Sequence, residues 1–395
     1  MSYWGRIIGL GCMAVFCTAC SPGGSDGDVD PPPTVYKNYL YVAAGPTAYS
    51  IDAATGALTR VTFPQGTWGG ADCLAIHPSG KFLISGNMSW HQFGVFTIDA
   101  ATGALTLMDG SPYDVSGGPR AIGLINSGEI MVVANYALPG LVTVCTINRV
   151  TGKITEVYDH IEYSGAVFRA RSLAVHPLDK FVYVACEGLS PGVGEEIQAF
   201  AVINAEIGEM APIHDMPRLA AGSAPSFVTV DPTGKFLYLT NQGLDTVSAF
   251  NVDATTGALT EVAGSPFGTL GDRPTCVMVD PSGKFAYVAN EESDTVCAFS
   301  VDPTTGALTP LVPSPTFPTG RNPCSIAFDP SGKFVYVCNR STHFIGDHVF
   351  ISTFSMDPGT GALTALAGSP HSTGGGSWGN PSLSMAVIRI AYKGS

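Results

Sequence analysis

Residues 274–310 read PTCVMVDPSGKFAYVANEESDTVCAFSVDPTTGALTP, and this stretch decides the fold of the chain. Closely similar copies begin at Pro225 and at Pro323, so three copies follow one another at a constant spacing of 49 residues. Repetition at a fixed spacing of this length is typical of architectures that stack one small structural unit many times. The repeat therefore has to be interpreted before any single motif.

Each copy contains the signals of four short strands. An apolar run, a DPSGK turn, an FxYVxN run, an alternating run and a TGALT turn follow one another, which indicates an antiparallel meander. A four-stranded sheet of this kind leaves both of its faces exposed, so the copies must pack against one another. A closed ring also removes the two free ends of the stack.

Two counts along the chain give the number of blades. The glycine of the TGALT element occurs seven times, at Gly56, Gly103, Gly152, Gly208, Gly257, Gly306 and Gly361. First strands also occur seven times, and we number the blades 1 to 7 by them, near residues 71, 119, 170, 225, 274, 323 and 381. A second strand comes first in the chain, from Asn38, and a first strand comes last, from Pro381.

The fold predicted by these counts is an all-β, seven-bladed β-propeller over residues 37–395, with four antiparallel strands per blade. Because the two series of strands are out of phase, the closing blade must combine one C-terminal strand with three N-terminal strands. Hydrogen bonds between the last strand and the first would then lock the ring.

Composition narrows the functional classes. The chain is 45% apolar and 13% charged, with 47 Gly and 29 Pro, which suits many short strands and excludes a disordered protein. The formal net charge is −13, and no run of basic residues could neutralise successive phosphates, so we expect no nucleic-acid partner. Beyond residue 20 the cysteines are odd in number and lack metal-like spacing, so we expect neither a disulfide framework nor a metal site.

The N-terminal segment has the features of an export signal. Arg6 precedes an uncharged stretch from Ile7 to Ala19, and small residues precede Cys20. Residues 17–20 resemble a bacterial lipobox, which predicts a signal peptide over residues 1–19, lipidation of Cys20 and a flexible tether over residues 20–36. The alternative is an ordinary cleaved signal that leaves Cys20 as a thiol.

The resemblance to lipoproteins also implies a location. Ser21 follows the cysteine, which by that resemblance implies sorting to the outer membrane, with the propeller in the periplasm or at the cell surface. The chain would then contact the membrane only through its lipid anchor. We expect the propeller itself to be a monomeric domain.

The YVAN strand and the DPTTGALT turn resemble those of the seven-bladed propeller lactonases, the family of 6-phosphogluconolactonase and the fungal carboxymuconate cyclase. The resemblance covers nearly all of the chain beyond the tether. It implies a site at the rim where first strands begin and second strands end. The same repeat motifs are shared with surface YVTN-repeat proteins, so the resemblance is more specific for the fold than for an activity.

Candidate catalytic residues follow from that family's GPRH and NE motifs. In blade 3, Arg171 and Glu187 match the Arg and the Glu, and the sequence predicts that they lie opposite each other on paired strands. Blade 2 retains Arg120. Ser172 and Ala121 stand where the family has His. In this interpretation Arg171 anchors an anionic substrate, while Glu187, aided by Arg120, activates water. The alternative interpretation is a rim salt bridge of little energetic value.

Further rim residues are candidates for substrate binding. Glu291 occupies the Glu position of blade 5, and Arg321 and Arg340 are loop residues around blade 6, which has an enlarged loop between its second and third strands. His77 and His176 occupy the place that Asp fills in other copies, at the start of a turn, so they are assigned to turn capping. We expect no cofactor.

Two functional hypotheses remain open. The first is a hydrolase that acts on a sugar or carboxylated lactone. The second is a non-catalytic binding or scaffold propeller of the cell envelope. The partner at the rim is accordingly a small-molecule ligand or an envelope protein.

Overall fold

The computed structural model describes residues 12–15, 34–43, 47–62, 71–125, 128–136, 141–162, 168–188, 195–214, 216–217, 223–340, 349–372 and 384–393. These residues form seven sheets, each built on antiparallel strands. The first strands of successive sheets contact one another in sequence order, and the seventh returns to the first. The predicted all-β, seven-bladed propeller is confirmed.

Each sheet contributes four principal strands, which we number in chain order. The first strands are β5 (Cys73–Ile76), β10 (Gly118–Ile125), β14 (Phe168–Val175), β18 (Pro225–Val230), β23 (Pro274–Val279), β28 (Pro323–Phe328) and β33 (Met385–Lys393). The second strands are β6 (Phe82–Asn87), β11 (Ile130–Tyr136), β15 (Phe181–Gly188), β19 (Phe236–Asn241), β24 (Phe285–Asn290), β29 (Phe334–Arg340) and β2 (Thr34–Val42).

The outer half of each sheet holds the remaining strands. The third strands are β7 (Gln92–Ile98), β12 (Leu141–Ile147), β16 (Glu196–Asn204), β20 (Thr246–Val252), β25 (Thr295–Val301), β30 (Val349–Met356) and β3 (Thr47–Ile51). The fourth strands are β8 (Leu105–Leu107), β13 (Ile154–Glu162), β17 (Glu209–Ile213), β21 (Leu259–Glu261), β26 (Leu308–Pro310), β31 (Leu363–Ala365) and β4 (Leu58–Val61).

Blade 7 closes the ring as predicted. Its strand order is β33-β2-β3-β4, so the C-terminal strand pairs with the first N-terminal one, from Val42 opposite Met385 to Thr34 opposite Lys393. A further strand that the sequence pattern does not predict, β1 (Cys12–Val15), pairs in parallel with the inner edge of β33. Among the described residues, no helix is long and apolar enough to cross a membrane.

In four blades of the described part of the chain, the third strand pairs with a short extra segment as well as with the fourth strand. The sequence pattern does not predict these segments. These segments are β9 (Tyr113–Asp114), β22 (Phe267–Gly268), β27 (Thr316–Pro318) and β32 (His371–Ser372). In blade 4, β21 and β22 both pair with β20, separated by a turn. Ser265 in that turn accepts a hydrogen bond from the N–H of Ala249 at 3.0 Å, which satisfies a buried donor of the third strand.

The YV and TGALT segments of the repeat form one contact between neighbouring blades. In blades 3 and 4, the buried hydroxyls of Tyr183 and Tyr238 each donate a 2.9 Å hydrogen bond to the carbonyl oxygen of a TGALT glycine in the next blade, Gly257 and Gly306 respectively. Gly257 has φ +74°, and a Cβ placed there would lie 2.5 Å from the ring of Phe181. Only glycine suits both the backbone and the close approach.

The DPSGK turns are held by their first residue. Asp280 accepts hydrogen bonds from the N–H groups of Lys284 and Phe285, each at 2.8 Å. His77 and His176 hold the same place, and the Nδ1 atom of each ring accepts a hydrogen bond of 3.1 Å from a backbone N–H in its turn, that of Ser79 and that of Leu178 respectively. Their assignment to turn capping is therefore confirmed.

A bulge at the start of the first strand recurs around the ring. In blade 4 the strand register shifts between Pro225 and Phe227, so Ser226 has no residue opposite it on β19. The same shift leaves Arg120, Arg171, Thr275 and Cys324 at the bulge of blades 2, 3, 5 and 6. Bulges re-aim a side chain, and these five side chains all face one central pocket.

Candidate functional site

The central pocket lies where the first strands of the seven blades begin. Every blade contributes at least one residue to its wall, from Asp72 in blade 1 to Ser384 in blade 7. Asp72 directly precedes Cys73, the first residue of β5, and so holds the place that the bulge residues hold in other blades. All seven blades therefore contribute to the pocket.

The bulge positions divide the wall into a charged arc and a neutral arc. Asp72, Arg120 and Arg171 occupy three consecutive blades, and Ser226, Thr275 and Cys324 occupy the next three. The hydroxyls of Ser226 and Thr275 donate to the proline carbonyl that precedes the bulge of the following blade, each at 2.9 Å. Bonds between blades therefore fix the neutral arc, and the charged bulge residues all belong to blades 1 to 3.

Arg120 is the most constrained cation of the pocket. Burial, together with the neighbouring charge of Arg171, lowers its pKa to about 10, while Asp72 acts in the opposite direction. The side chain consequently stays cationic at neutral pH. Its guanidinium lies 5.9 Å from the ring centre of Tyr136, and among the described residues its buried Nε has no hydrogen-bond partner.

Arg171 and Glu187 form an ion pair, but by a different geometry from the one predicted. The predicted register is wrong, because Glu187 pairs with Arg169 and Arg171 sits in the bulge. Bulging still brings Arg171 Nε within 3.3 Å of Glu187 Oε2. Arg171 lines the pocket, whereas Glu187 stands beside it and is not one of the lining residues.

Glu291 is the centre of a second charged cluster on the opposite wall. Its Oε1 accepts a hydrogen bond from Arg340, and its Oε2 lies 3.2 Å from Arg273 Nε and accepts from Gln242 Nε2 at 3.4 Å. All four residues line the pocket. The side chains of Arg340 and Glu291 are only 15% and 12% exposed, so this ion pair is shielded from solvent.

The other predicted site residues are not brought into the pocket. Arg321 is exposed and is not among the lining residues. Cys20 lies outside the residues that the structure describes, so its lipidation stays a prediction. Within the described part of the chain, no group of three His, Cys, Asp or Glu side chains is arranged to hold a metal ion.

The wall residues that the sequence did not predict include Asp72, Arg273 and Gln242. Asp72 could have been found by aligning the first strands, because Asp72 follows Ala71 as Arg171 follows Ala170. Gln242 follows the YLTN segment as Glu291 follows YVAN, so the same alignment would have located it. Arg273 precedes the strand and carries no repeat signal.

The charge of the wall differs from that of the whole chain. Four arginines and two carboxylates line the pocket, although the chain as a whole has a formal charge of −13. A concave site with an excess of guanidinium groups attracts anions and can bind carboxylate or phosphate in a bidentate manner.

Comparison with known families agrees with the fold and the repeat. Residues 47–170 and 168–320 match the family model described as "Lactonase, 7-bladed beta-propeller". The chain belongs to this lactonase family.

Individual relatives of this lactonase-family chain are distant. The 6-phosphogluconolactonase of Bacillus subtilis (strain 168) is 27% identical over 228 residues, which cover 55% of the chain and 63% of that protein. The match thus spans less than two thirds of the relative's length.

Solved structures share the fold of the lactonase-family propeller. A putative 6-phosphogluconolactonase from Bacteroides fragilis superposes with a TM-score of 0.72 at 22% identity, covering 90% of this chain and 98% of that one. The periplasmic gluconolactonase PpgL of Pseudomonas aeruginosa superposes with a TM-score of 0.68 at 20% identity, covering 89% and 99%. At these identities the similarity concerns the architecture.

The lactonase-family chain departs from its family's motif at the histidine position of two blades. Ala121 stands there in blade 2. In blade 3 Ser172 replaces the His of GPRH, and its Oγ accepts a hydrogen bond from the N–H of Val228 at 3.3 Å. The Ser172 side chain thus joins blades 3 and 4. The residues that line the pocket include no histidine, and they include two carboxylates, Asp72 and Glu291.

Proposed function

We propose that this lactonase-family propeller hydrolyses a lactone that bears an anionic group, a sugar or carboxylated lactone, in the central pocket. The observation that carries the proposal is the excess of arginines on the wall of a pocket in an acidic chain. Arg171, held by Glu187, binds the anionic group of the substrate. The neutral arc of Ser226 and Thr275 faces the uncharged part of the ring.

In the reaction, a carboxylate accepts a proton from water, and the water oxygen attacks the lactone carbonyl carbon. The negative charge that develops on the carbonyl oxygen is stabilised by a guanidinium at the wall. The ring C–O bond then breaks, and the ring oxygen leaves as a hydroxyl. The product is an open-chain hydroxy acid.

A matched pair of substrates tests the proposal. Glucono-1,5-lactone and its 6-phosphorylated form differ only in the anionic group, and a carboxylated butenolide extends the panel. We expect Arg171→Ala to lower kcat/KM for the anionic lactones by about 10- to 100-fold, the loss expected for a charge-assisted hydrogen bond, and to change the neutral one much less.

The control for that variant is Arg149→Ala. Arg149 also pairs with a glutamate, Glu129, at 3.4 Å, but its side chain is 62% exposed and it is absent from the pocket wall. Its removal should leave turnover unchanged. Absence of turnover of every lactone by the wild-type protein would overturn the proposal.

The non-catalytic binding propeller is kept as a second candidate because of Ser172, which replaces the motif's histidine with a group used between blades. It predicts that an anionic hydroxy acid binds at the Arg171 wall with no turnover of any lactone. Calorimetric titration beside the turnover assay separates the two candidates.

We also propose that the chain acts outside the cytoplasm, anchored at the outer membrane through Cys20. The support is the arrangement of Arg6, the uncharged stretch to Ala19 and the lipobox-like residues before Cys20. Phosphorylated sugar lactones are intermediates of the cytoplasm, so an exported enzyme would use a carboxylated lactone. Metabolic labelling with a palmitate analogue should mark the wild-type chain and not Cys20→Ser.

A further inference from the structure

We infer that Asp72 is the carboxylate that activates water in the central pocket, a role that rests on the proposed lactone hydrolysis. Asp72 lines the pocket and is only 6% exposed. It occupies the bulge position of blade 1, next in the ring to Arg120 of blade 2. Asp72 therefore lines the pocket from the same position in its blade as Arg120 and Arg171.

The backbone fixes the carboxylate of Asp72 in place. Asp72 Oδ2 accepts a hydrogen bond from the N–H of Met88 at 2.7 Å, and the N–H of Asp72 donates to Gly86 at 2.8 Å. Gly86 lies near the end of the second strand of the same blade, and Met88 directly follows that strand. A general base has to be held within hydrogen-bond reach of the water it deprotonates, and this double attachment provides that rigidity.

Arg120 supplies the complementary charge. Burial and the charge of Arg171 lower the pKa of Arg120 to about 10 against the attraction of Asp72, so the guanidinium is cationic at neutral pH. Arg120 lines the pocket in the blade next to that of Asp72. Its guanidinium is therefore the positive charge available to an oxyanion that exists only during the reaction.

The two glutamates near the pocket are bound by arginine side chains. Both oxygens of Glu291 are held, by Arg340 on one side and by Arg273 and Gln242 on the other. Glu187 contacts Arg171 and does not line the pocket. Glu187 is accordingly a positioning residue for Arg171, in place of the base that the family motif suggests.

Asp72 acts first as a base and then as an acid in the reaction. Asp72 takes a proton from water as the water oxygen bonds to the lactone carbonyl carbon, and the carbonyl electron pair moves to the oxygen beside Arg120. When the carbonyl re-forms, the ring C–O bond breaks, and the ring oxygen receives the proton from Asp72. Asp72 is regenerated as a carboxylate, and the new carboxylic acid loses its proton to solvent.

Steady-state kinetics of the mature protein on its best lactone test the inference. We expect Asp72→Asn to lower kcat by about 10²- to 10⁴-fold, with KM changed by less than about threefold, because uniform substrate binding is retained. Glu187→Gln should instead raise KM and keep kcat. Glu292→Gln, an exposed rim residue, is the matched control.

The outcomes separate this inference from the proposed function. An active wild type whose Asp72→Asn variant keeps its kcat overturns the role of Asp72 and leaves lactone hydrolysis standing. A wild type that is inactive on every lactone overturns both. Should Asp72→Asn fail to fold, Asp72→Ser replaces it: a lowered kcat at unchanged KM supports the base, and an unchanged kcat overturns it.

Discussion

The hydroxyl of Tyr336 donates a hydrogen bond of 3.1 Å to the carbonyl oxygen of Gly56, which lies 280 residues earlier in the chain. The same bond joins blades that are adjacent in sequence, as between Tyr238 and Gly306. Blade 6 is therefore attached to blade 7 by the contact that repeats around the ring. The N-terminal strands of blade 7 are incorporated as an ordinary member of the array.

The Tyr336 contact predicts a measurable contribution to stability. Tyr336→Phe should lower the free energy of unfolding by about 1–3 kcal/mol, because it leaves a buried carbonyl without its donor. Tyr238→Phe is the comparison, since its bond joins blades 4 and 5. Urea unfolding should show losses of similar size. A neutral Tyr336→Phe beside a destabilising Tyr238→Phe would contradict this closure.

Two glycines with the same backbone conformation, Gly257 of a TGALT turn and Gly283 of a DPSGK turn, allow the cost of backbone strain to be separated from the cost of a steric clash. Gly257 and Gly283 both have φ +74°, but a Cβ at Gly257 would meet the Phe181 ring at 2.5 Å, whereas one at Gly283 would meet nothing within 4 Å. Gly283→Ala should cost about 1–2 kcal/mol from the left-handed backbone. Gly257→Ala should cost about 1–3 kcal/mol more, from overpacking. Equal losses in urea unfolding would refute the role of Phe181.

His77 predicts a pH dependence of stability. Burial, reinforced by Arg149 and Lys81, lowers the pKa of His77 from 6.5 to about 4. The unfolded chain therefore binds a proton between pH 6.5 and pH 4 that the folded chain does not. The stabilisation from the neutral ring is complete above pH 6.5 and is lost as the pH falls towards 4, by up to about 3 kcal/mol.

The measurement is the free energy of unfolding at several pH values across that window. His77→Asn cannot titrate and should flatten the dependence, whatever its effect on absolute stability. His91→Asn is the control, because His91 is exposed at the end of blade 1's second hairpin and its left-handed backbone suits Asn. An identical pH slope in His77→Asn and wild type would exclude His77 as the source.

The architecture could be predicted from the repeat because the residues that mark each turn and strand lie close together in the sequence. Glycines such as Gly56 and Gly361 mark equivalent turns, and counting them is enough to number the blades and to assign the closing strands. The site was harder to predict, because it depends on a bulge that changes the strand register by one residue. Arg171 was therefore identified but paired wrongly, and Asp72 was missed because its carboxylate matches no residue of the GPRH motif.

The pattern within a single repeat also could not predict the side-chain clusters that join different blades. Glu291 and Arg340 were each identified, but their contact joins blades 5 and 6 at equivalent positions 49 residues apart. Strand alternation does not predict which neighbours point towards each other at the mouth of a ring. Such contacts depend on the rotation between blades, which emerges only from the packed structure.

That cluster predicts a loss of stability that a ligand should restore. Glu291→Gln leaves Arg340, 15% exposed, without its counter-charge and should cost about 3–5 kcal/mol, the range for breaking a shielded pair. Glu292→Gln is the comparison, because Glu292 is 59% exposed and pairs with the 49% exposed side chain of Arg273, so its loss should be below about 1 kcal/mol.

Urea unfolding with and without inorganic phosphate completes this test. An anion in the pocket can replace the missing carboxylate, so phosphate should stabilise Glu291→Gln more than wild type. The added stability should grow with the phosphate concentration. If Glu291→Gln and Glu292→Gln lose the same small amount, the Glu291 cluster is an ordinary surface network, and the neighbouring arginines do not depend on it.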